Sequence, residues 1–471
     1  MTGQAAARSG LWSAERRGLS TGLVLTITLV AFEALAISTV MPDVAAEFGA
    51  AGSDLYGWVF TAFFLGTLIG IVAIGGMVDR SLAVPFLGGL GLFAIGLLIG
   101  GLASSMQVLV LARFIQGLGA GAIPPIAYVA IARSMSEDLR PRMFAFLSTA
   151  WALPGVIGPA IAGLVGDSVG WRAVFLGLLP LVALSAVATT PALRSVAPPP
   201  EAAAAEATAA ASLRRRLPLA VLVTLGTALF TAAITAGEPL LLVGLALPGL
   251  ALGVFAVRRL TPVGTLRAAR GLPTAVLLRG VATFGFFAVD AYVSRLLVDV
   301  RGLTLSQAGI VLTATTITWT AGSWIQAHWN ARWRLDQFVR GGLLVVAAGI
   351  ATFALVLIPE VPVWFAVPTF AVAGLGMGLC YSPLGLIVLR EATPAEQGSA
   401  SSALSLTDAL GTALGTGVSG AIVAAGLRAT GGLSQGLAVA FAIGWAVVLL
   451  GAALAGRLRP GTARGRGPAL R

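Results

Sequence analysis

The sequence predicts an all-α integral membrane protein of about 14 transmembrane helices, built as two parallel six-helix repeats with two inserted helices and both termini cytoplasmic. Three observations predict it: an extreme apolar composition, a one-sided arginine distribution and an internal repeat at a single offset. Of 471 residues, 57% are apolar and 10% charged, where an ordinary soluble domain is about 25% charged. Mean hydropathy is +0.94. A soluble chain of this composition could not cover its own surface with polar groups.

A spanning helix needs about 20 apolar residues. Apolar runs between Gly, Pro and charge breaks place helices at 21–42, 57–78, 84–103, 108–132, 144–166, 172–189, 217–236, 239–257, 273–296, 305–327, 338–358, 363–389, 400–426 and 434–456. Between Leu217 and Val257 the only charge is Glu238, inside the turn signal Gly237-Glu238-Pro239, so two spans fit this stretch better than one.

Every one of the 30 basic residues is arginine. With the N-terminus in the cytoplasm, 25 fall on the cytoplasmic side, counting Arg279 as snorkelling there from the ninth span, and four fall outside: Arg172, Arg295, Arg301 and Arg428. Arg113 lies within a span. This asymmetry sets both termini inside. Merging the seventh and eighth spans would invert all later loops and break the bias. The net charge of +11 therefore reads as membrane orientation rather than as a nucleic-acid surface. The organisation that follows is a tail (1–20), a six-helix half (21–190), a linker (191–216), two inserted helices (217–258), a second six-helix half (259–457) and a basic tail (458–471). The linker carries Pro198-Pro199-Pro200 and an Ala/Glu run and reads as disordered.

Absences exclude other classes. Without lysine there is no nucleotide-binding P-loop and no Schiff-base lysine. One histidine, His328, and one cysteine, Cys380, cannot make a zinc site of the usual kind. The expectation is no enzyme, no nucleotide, no metal and no cofactor beyond a proton gradient.

Gly117-Leu118-Gly119-Ala120-Gly121 recurs as Gly374-Leu375-Gly376-Met377-Gly378, an offset of 257. The same offset relates Arg133 to Arg390, Asp79 to Asp336, Glu33 to Asp290 and Gly158 to Gly415. It contains eight spans, so both copies cross the membrane in the same sense. A parallel repeat about the membrane normal is a secondary-transporter signature. Two positions break it: Arg113 maps to Phe370, and Pro159 to Thr416.

Phe32 through Pro42 places an acidic residue, Glu33, nine positions before a proline. Arg113-Phe114-Ile115-Gln116-Gly117, Gly158-Pro159-Ala160-Ile161-Ala162-Gly163 and Trp171-Arg172-Ala173-Val174-Phe175 follow on the fourth, fifth and sixth spans. With Gly75 and Asp79-Arg80 between the second and third spans, these stretches resemble the major facilitator superfamily, in particular its fourteen-helix drug:proton antiporters. Ala83 and Val84 stand where that family usually carries basic residues. The resemblance implies alternating access, with Gly75, Asp79, Arg80, Gly158 and Pro159 as gating or conformational residues. It also implies that Asp79 docks on a helix start in the other half, for which Ser399 to Ser402 is the candidate.

Of 19 acidic residues, only Glu33, Asp290 and Asp408 lie well within spans. A charge there costs roughly 2.5–3.5 kcal/mol on insertion scales, so each should face protein or a water-filled cavity. Counted from their helix ends, Glu33, Asp290 and Arg113 share one depth, and they are the proton-coupling candidates. Gln116 lies one turn from Arg113 on the same face. Gln116, Asp408, Phe32, Phe286, Phe287, Trp151 and Trp319 are the cavity candidates. As repeat equivalents, Glu33 and Asp290 should face one another at equal height, with Glu33 carrying the proton and Asp290 biasing substrate charge. The expected function is a proton-coupled efflux antiporter of amphipathic small molecules, monomeric, in the plasma membrane. A lipid or glycolipid exporter on the same fold is the alternative, and a non-transporting receptor or scaffold a remote one.

Overall fold

A computed structural model describes residues 10–75, 77–197, 206–236, 239–430 and 432–459. Among the described residues all regular structure is helical. The helices are α1 (Arg17–Ile74), α2 (Ala83–Gly101), α3 (Met106–Ala120), α4 (Ile123–Ser134), α5 (Arg140–Val169), α6 (Trp171–Leu176), α7 (Leu179–Arg194), α8 (Glu206–Ala236), α9 (Leu247–Leu260), α10 (Leu272–Arg295), α11 (Leu305–Trp329), α12 (Leu335–Ala354), α13 (Ala366–Glu391), α14 (Gln397–Thr430) and α15 (Leu433–Leu454).

Among the described residues eleven stretches are long and apolar enough to cross a membrane, some of them two successive helices together, as in Met106–Ser134 and Trp171–Arg194, and α5 makes a twelfth if its two bent parts are one span. Two further predicted spans are helical but fall short of that test. Trp58–Ile74 is short. Helix α11 carries five threonines and a glutamine in its first 16 residues, which lowers its hydropathy. The threonines do not leave hydroxyls stranded: Thr315, Thr316 and Thr320 donate to the carbonyls of Val311, Leu312 and Thr316, the back-bonding typical of helical Ser and Thr.

Local chemistry explains the boundaries. Proline sits in the first turn of α4, α5, α7, α9 and α10, where its missing N–H is no loss. Ser105 caps α3 by accepting the Val108 N–H, and Thr304 with Gln307 forms a capping box on α11. The stretch labelled α1 holds the first two predicted spans as two helices that meet at a kink at Gly49 (φ 60°, ψ −131°), a conformation that favours glycine. The linker is more helical than expected. Helix α7 reaches Arg194, and residues 206–216 of the linker are helical within α8, because an Ala-rich run has high helix propensity. Residues 198–205, the turn residues Gly237 and Glu238, and the basic tail from 460 lie outside the described residues.

Contacts divide the chain into two compact units. Unit 1 comprises residues 1–217 with 393–402, and unit 2 comprises 218–392 with 403–471. Within unit 1, α1 packs on α3 and α5, and α2 on α3. The close approach needs glycine: a Cβ on Gly117 would strike the Phe63 carbonyl oxygen. Its counterpart Gly374 abuts Thr315 of α11 in the same way, so both copies of the Gly-x-Gly-x-Gly stretch bring two backbones together. Within unit 2, α11 and α12 both pack on α13, and α10 and α12 on α15. Arg301 ties the turn after α10 to the α12–α13 connection by donating to the carbonyls of Val356, Ile358, Pro359 and Val361.

Candidate functional site

Unit 1 brings Glu33 and Arg113 together. Glu33 lies on α1 and Arg113 two turns into α3, and their side chains are 0% and 2% exposed. Arg113 Nη1 donates both to Glu33 Oε1 and to Gln116 Oε1, the latter at 3.0 Å. Gln116 Nε2 donates to the same Glu33 oxygen at 3.3 Å. Arg113 Nε reaches the Val59 carbonyl at 3.4 Å, and its guanidinium lies 4.3 Å from the Phe63 ring centroid. The i,i+3 spacing of Arg113 and Gln116 places both on one face, and the stacking ring supplies a cation–π contact. One feature stands apart: Glu33 Oε2 is buried with no hydrogen-bond partner among the described residues. Phe32 beside it is half-buried, and Trp151 on α5 is 47% exposed.

The loop after α1 forms a second constellation. Asp79 Oδ1 accepts the backbone N–H of Gly398 at 2.8 Å, in the first turn of α14, where helix N–H groups point outward and carry partial positive charge. Ser402, one turn further along α14, donates to the Ile71 carbonyl. Arg133 approaches Asp79 at 3.4 Å and donates to the Val78 carbonyl. Burial pushes the Asp79 carboxyl up to about 6; the Gly398 N–H, Arg133 and Arg216 oppose the rise, and Glu396 adds to it. The contact falls one residue before the stretch expected from the resemblance. Gly75 leaves room for Ser402, since a Cβ there would lie 3.1 Å from its hydroxyl. Arg80 follows in the same turn, and Arg133 is within ion-pair distance of Asp79. At Gly158 and Pro159, α5 bends by 44°, as a proline that removes a helix bond requires.

Unit 2 differs. Asp290 is half-buried on α10, and among the described residues it takes part in no ion pair; Arg295 pairs with Asp299 instead. Phe370, at the position matching Arg113, is fully buried and stacks on Phe286 with centroids 5.6 Å apart. Phe286 is itself a core residue, 2% exposed, enclosed by Phe287 and Trp319 at 5.3 Å each.

Asp408 on α14 has partners that the sequence reading did not assign. Tyr381 of α13 donates its hydroxyl to Asp408 Oδ2 at 2.9 Å. Arg279 of α10 places Nε 4.0 Å from Oδ1. The snorkelling expected of Arg279 is corrected here: its side chain is 1% exposed, because the Tyr381 ring, with its centroid 3.4 Å from Cζ, holds the guanidinium inside. Sequence depth held the signal. Arg279 lies seven residues from the start of α10 and Asp408 eleven from the start of α14, about 10 and 16 Å, within reach of a long side chain.

The profile of the Major Facilitator Superfamily matches residues 23–416. A probable multidrug-efflux transporter of Mycobacterium tuberculosis (strain ATCC 25618 / H37Rv) is 27% identical over 93% of this chain and 95% of its own. A cephamycin export protein of Amycolatopsis lactamdurans is 29% identical over 95% and 94%. The crystal structure of a human organic anion transporter has a like fold, with a TM-score of 0.69 at 16% identity over 94% of this chain and 99% of that one. A match of this extent makes the chain a member of the major facilitator superfamily, a multi-pass membrane transporter of small molecules and not an enzyme.

Proposed function

We propose that the protein is a proton-coupled efflux antiporter of amphipathic small molecules, working by alternating access with fourteen spans, both termini cytoplasmic, as a monomer in the plasma membrane. One observation carries the reading. Glu33 has one oxygen held by Arg113 and Gln116 and the other buried without a partner. A buried carboxylate oxygen with no donor is a place for a proton, and taking one up changes the net charge of a pair held away from water. Arg113 and Gln116 hold the group in place while the proton comes and goes. The names of the two export relatives support efflux as the direction. Asp290, half-buried and without an ion-pair partner among the described residues, is proposed to bias the charge of the substrate.

The test is transport by the purified chain in proteoliposomes under an imposed pH gradient, against dyes, antibiotics and fluorescent lipids. Gradient-dependent movement of at least one amphipathic dye with counterflow of protons supports the reading. Movement of lipids alone would turn it to lipid export. Dye movement indifferent to the gradient would remove the proton from it.

A further inference from the structure

Unit 2 holds a buried charge pair with no counterpart in unit 1. The repeat offset takes Arg279 to Gly22, Tyr381 to Pro124 and Asp408 to Trp151, so this chemistry is not inherited from the duplicated scaffold. It also differs in construction from the Glu33–Arg113 pair. There both partners are sealed from solvent and bonded directly. Here Arg279 is sealed but Asp408 is 29% exposed. The charges stand 4.0 Å apart, and Asp408 Oδ1 accepts no hydrogen bond among the described residues.

The parts of the seat have a recognisable use. An aromatic face beside a carboxylate is what binds a flat organic cation. In this structure the chain's own cation fills that seat: the Arg279 guanidinium lies on the Tyr381 ring and beside Asp408. Trp319, 5.4 Å from Tyr381 between centroids, extends the aromatic surface. Around it the backbones are fixed. Thr407 donates to the Val276 carbonyl at 2.7 Å and Thr283 to the Asp408 carbonyl at 3.1 Å, so α14 is tied to α10 on both sides of Arg279 and the seat can change without the two backbones separating.

We propose that Arg279 is a tethered competitor at this seat, displaced from Tyr381 and Asp408 by ligands that carry a positive charge on an aromatic or apolar body and retained against neutral ones. Withdrawing the arginine alone would leave a partly buried carboxylate without its counter-ion, which is unfavourable. Exchanging one cation for another keeps the carboxylate compensated, the displaced guanidinium passing to the water that reaches Asp408. A neutral ligand therefore cannot release Arg279, and a cationic one can. The seat thus reads charge, and the displaced side chain transmits occupancy to the core around α10. The inference rests on unit 2 forming part of the ligand path of the proposed antiporter. Its test is equilibrium binding, which needs no gradient, so it can fail while proton-driven efflux stands.

The experiment measures binding of ethidium, a flat monocation, and Nile red, a neutral dye, to the full chain in lipid nanodiscs. Arg279→Gln is expected to bind ethidium roughly tenfold more tightly, with Nile red unchanged within about twofold. Arg279→Lys keeps the charge for folding, but its ammonium lacks the planar stacking group, so an intermediate gain is expected. In the double variant Arg279→Gln/Asp408→Asn the gain should vanish, a non-additivity that two independent residues would not show. Unchanged or weaker ethidium binding in both Arg279 variants would make the arginine a structural counter-ion and overturn the proposal. So would an equal gain for Nile red, or a gain that survives the loss of Asp408.

Discussion

Asp79 accepts the backbone N–H of Gly398 at 2.8 Å across 319 residues of sequence. A loop carboxylate thus satisfies an orphan donor at a helix start. Asp79→Asn should keep substrate affinity and lower the transport rate by roughly three- to tenfold, a loss of about 1 kcal/mol in one conformational state. Binding isotherms set beside turnover rates check this, and a large loss of affinity at normal turnover would refute it.

The same contact has a pH signature. The docked carboxyl sits at about 6, above the usual aspartate range, so docking takes up a proton. Its stability contribution is full below the ordinary aspartate pKa and is lost as pH rises through about 6. The Tm of the parent minus that of Asp79→Asn should therefore increase as pH falls from 7.5 to 5, by on the order of 2 °C. A difference flat across that range would show that Asp79 does not titrate in the contact.

Glu33→Gln should abolish gradient-driven transport, by at least roughly tenfold, while the protein remains folded. Arg113→Ala should cost about 3–5 kcal/mol of stability, because it strands a buried carboxylate. Arg113→Lys should recover most of the stability but less of the activity, since the Nε bond to the Val59 carbonyl and the planar contact with the Phe63 ring are lost. Gradient-driven efflux and thermal unfolding of the three variants decide the matter. Parent-like transport in all of them would make the pair structural.

Gly117→Ala and Gly374→Ala should each destabilise by about 1–3 kcal/mol, as overpacking does, since each new methyl meets a backbone carbonyl of the neighbouring helix. Loss at one position and tolerance at the other would contradict the equivalence of the two copies.

Arg301→Ala should destabilise by about 2 kcal/mol, leaving four carbonyls of the α12–α13 connection without their donor. Lysine in its place should recover less than half, because a point-like ammonium cannot span what the fork reaches. Denaturation of the three proteins in detergent gives the comparison.

How much of this was legible beforehand depended on the kind of information each feature needs. Helix positions follow from composition along one dimension, so the runs ending near Pro42 and starting near Leu272 could be read directly. The Glu33–Arg113–Gln116 cluster was legible because rare charges in apolar spans must find one another, and depth narrows the choice. The Asp79 contact followed from the resemblance to within one residue. Arg279 and Tyr381 escaped. An arginine near a span end can equally snorkel or turn inward, and only a neighbouring helix decides which. Phe286 reads as a cavity candidate because aromatic type does not tell a wall from a core; in the structure it is buried against Phe370. Arg301 was counted merely as an outward charge, since its partners are backbone oxygens, which no sequence pattern marks.

Cys380 is fully buried next to Tyr381 on α13, and the chain has no lysine. Maleimides and succinimidyl esters should therefore find almost no side chain to modify on the resting protein. A cysteine placed at a chosen position would be read against a dark background, with no need to rebuild the parent first. The one native thiol becomes a reporter in its own right. Its alkylation would signal that the turn of α13 beneath the Arg279–Tyr381 stack had come open, and a charged ligand that speeds the reaction would be seen doing so without any label on the ligand.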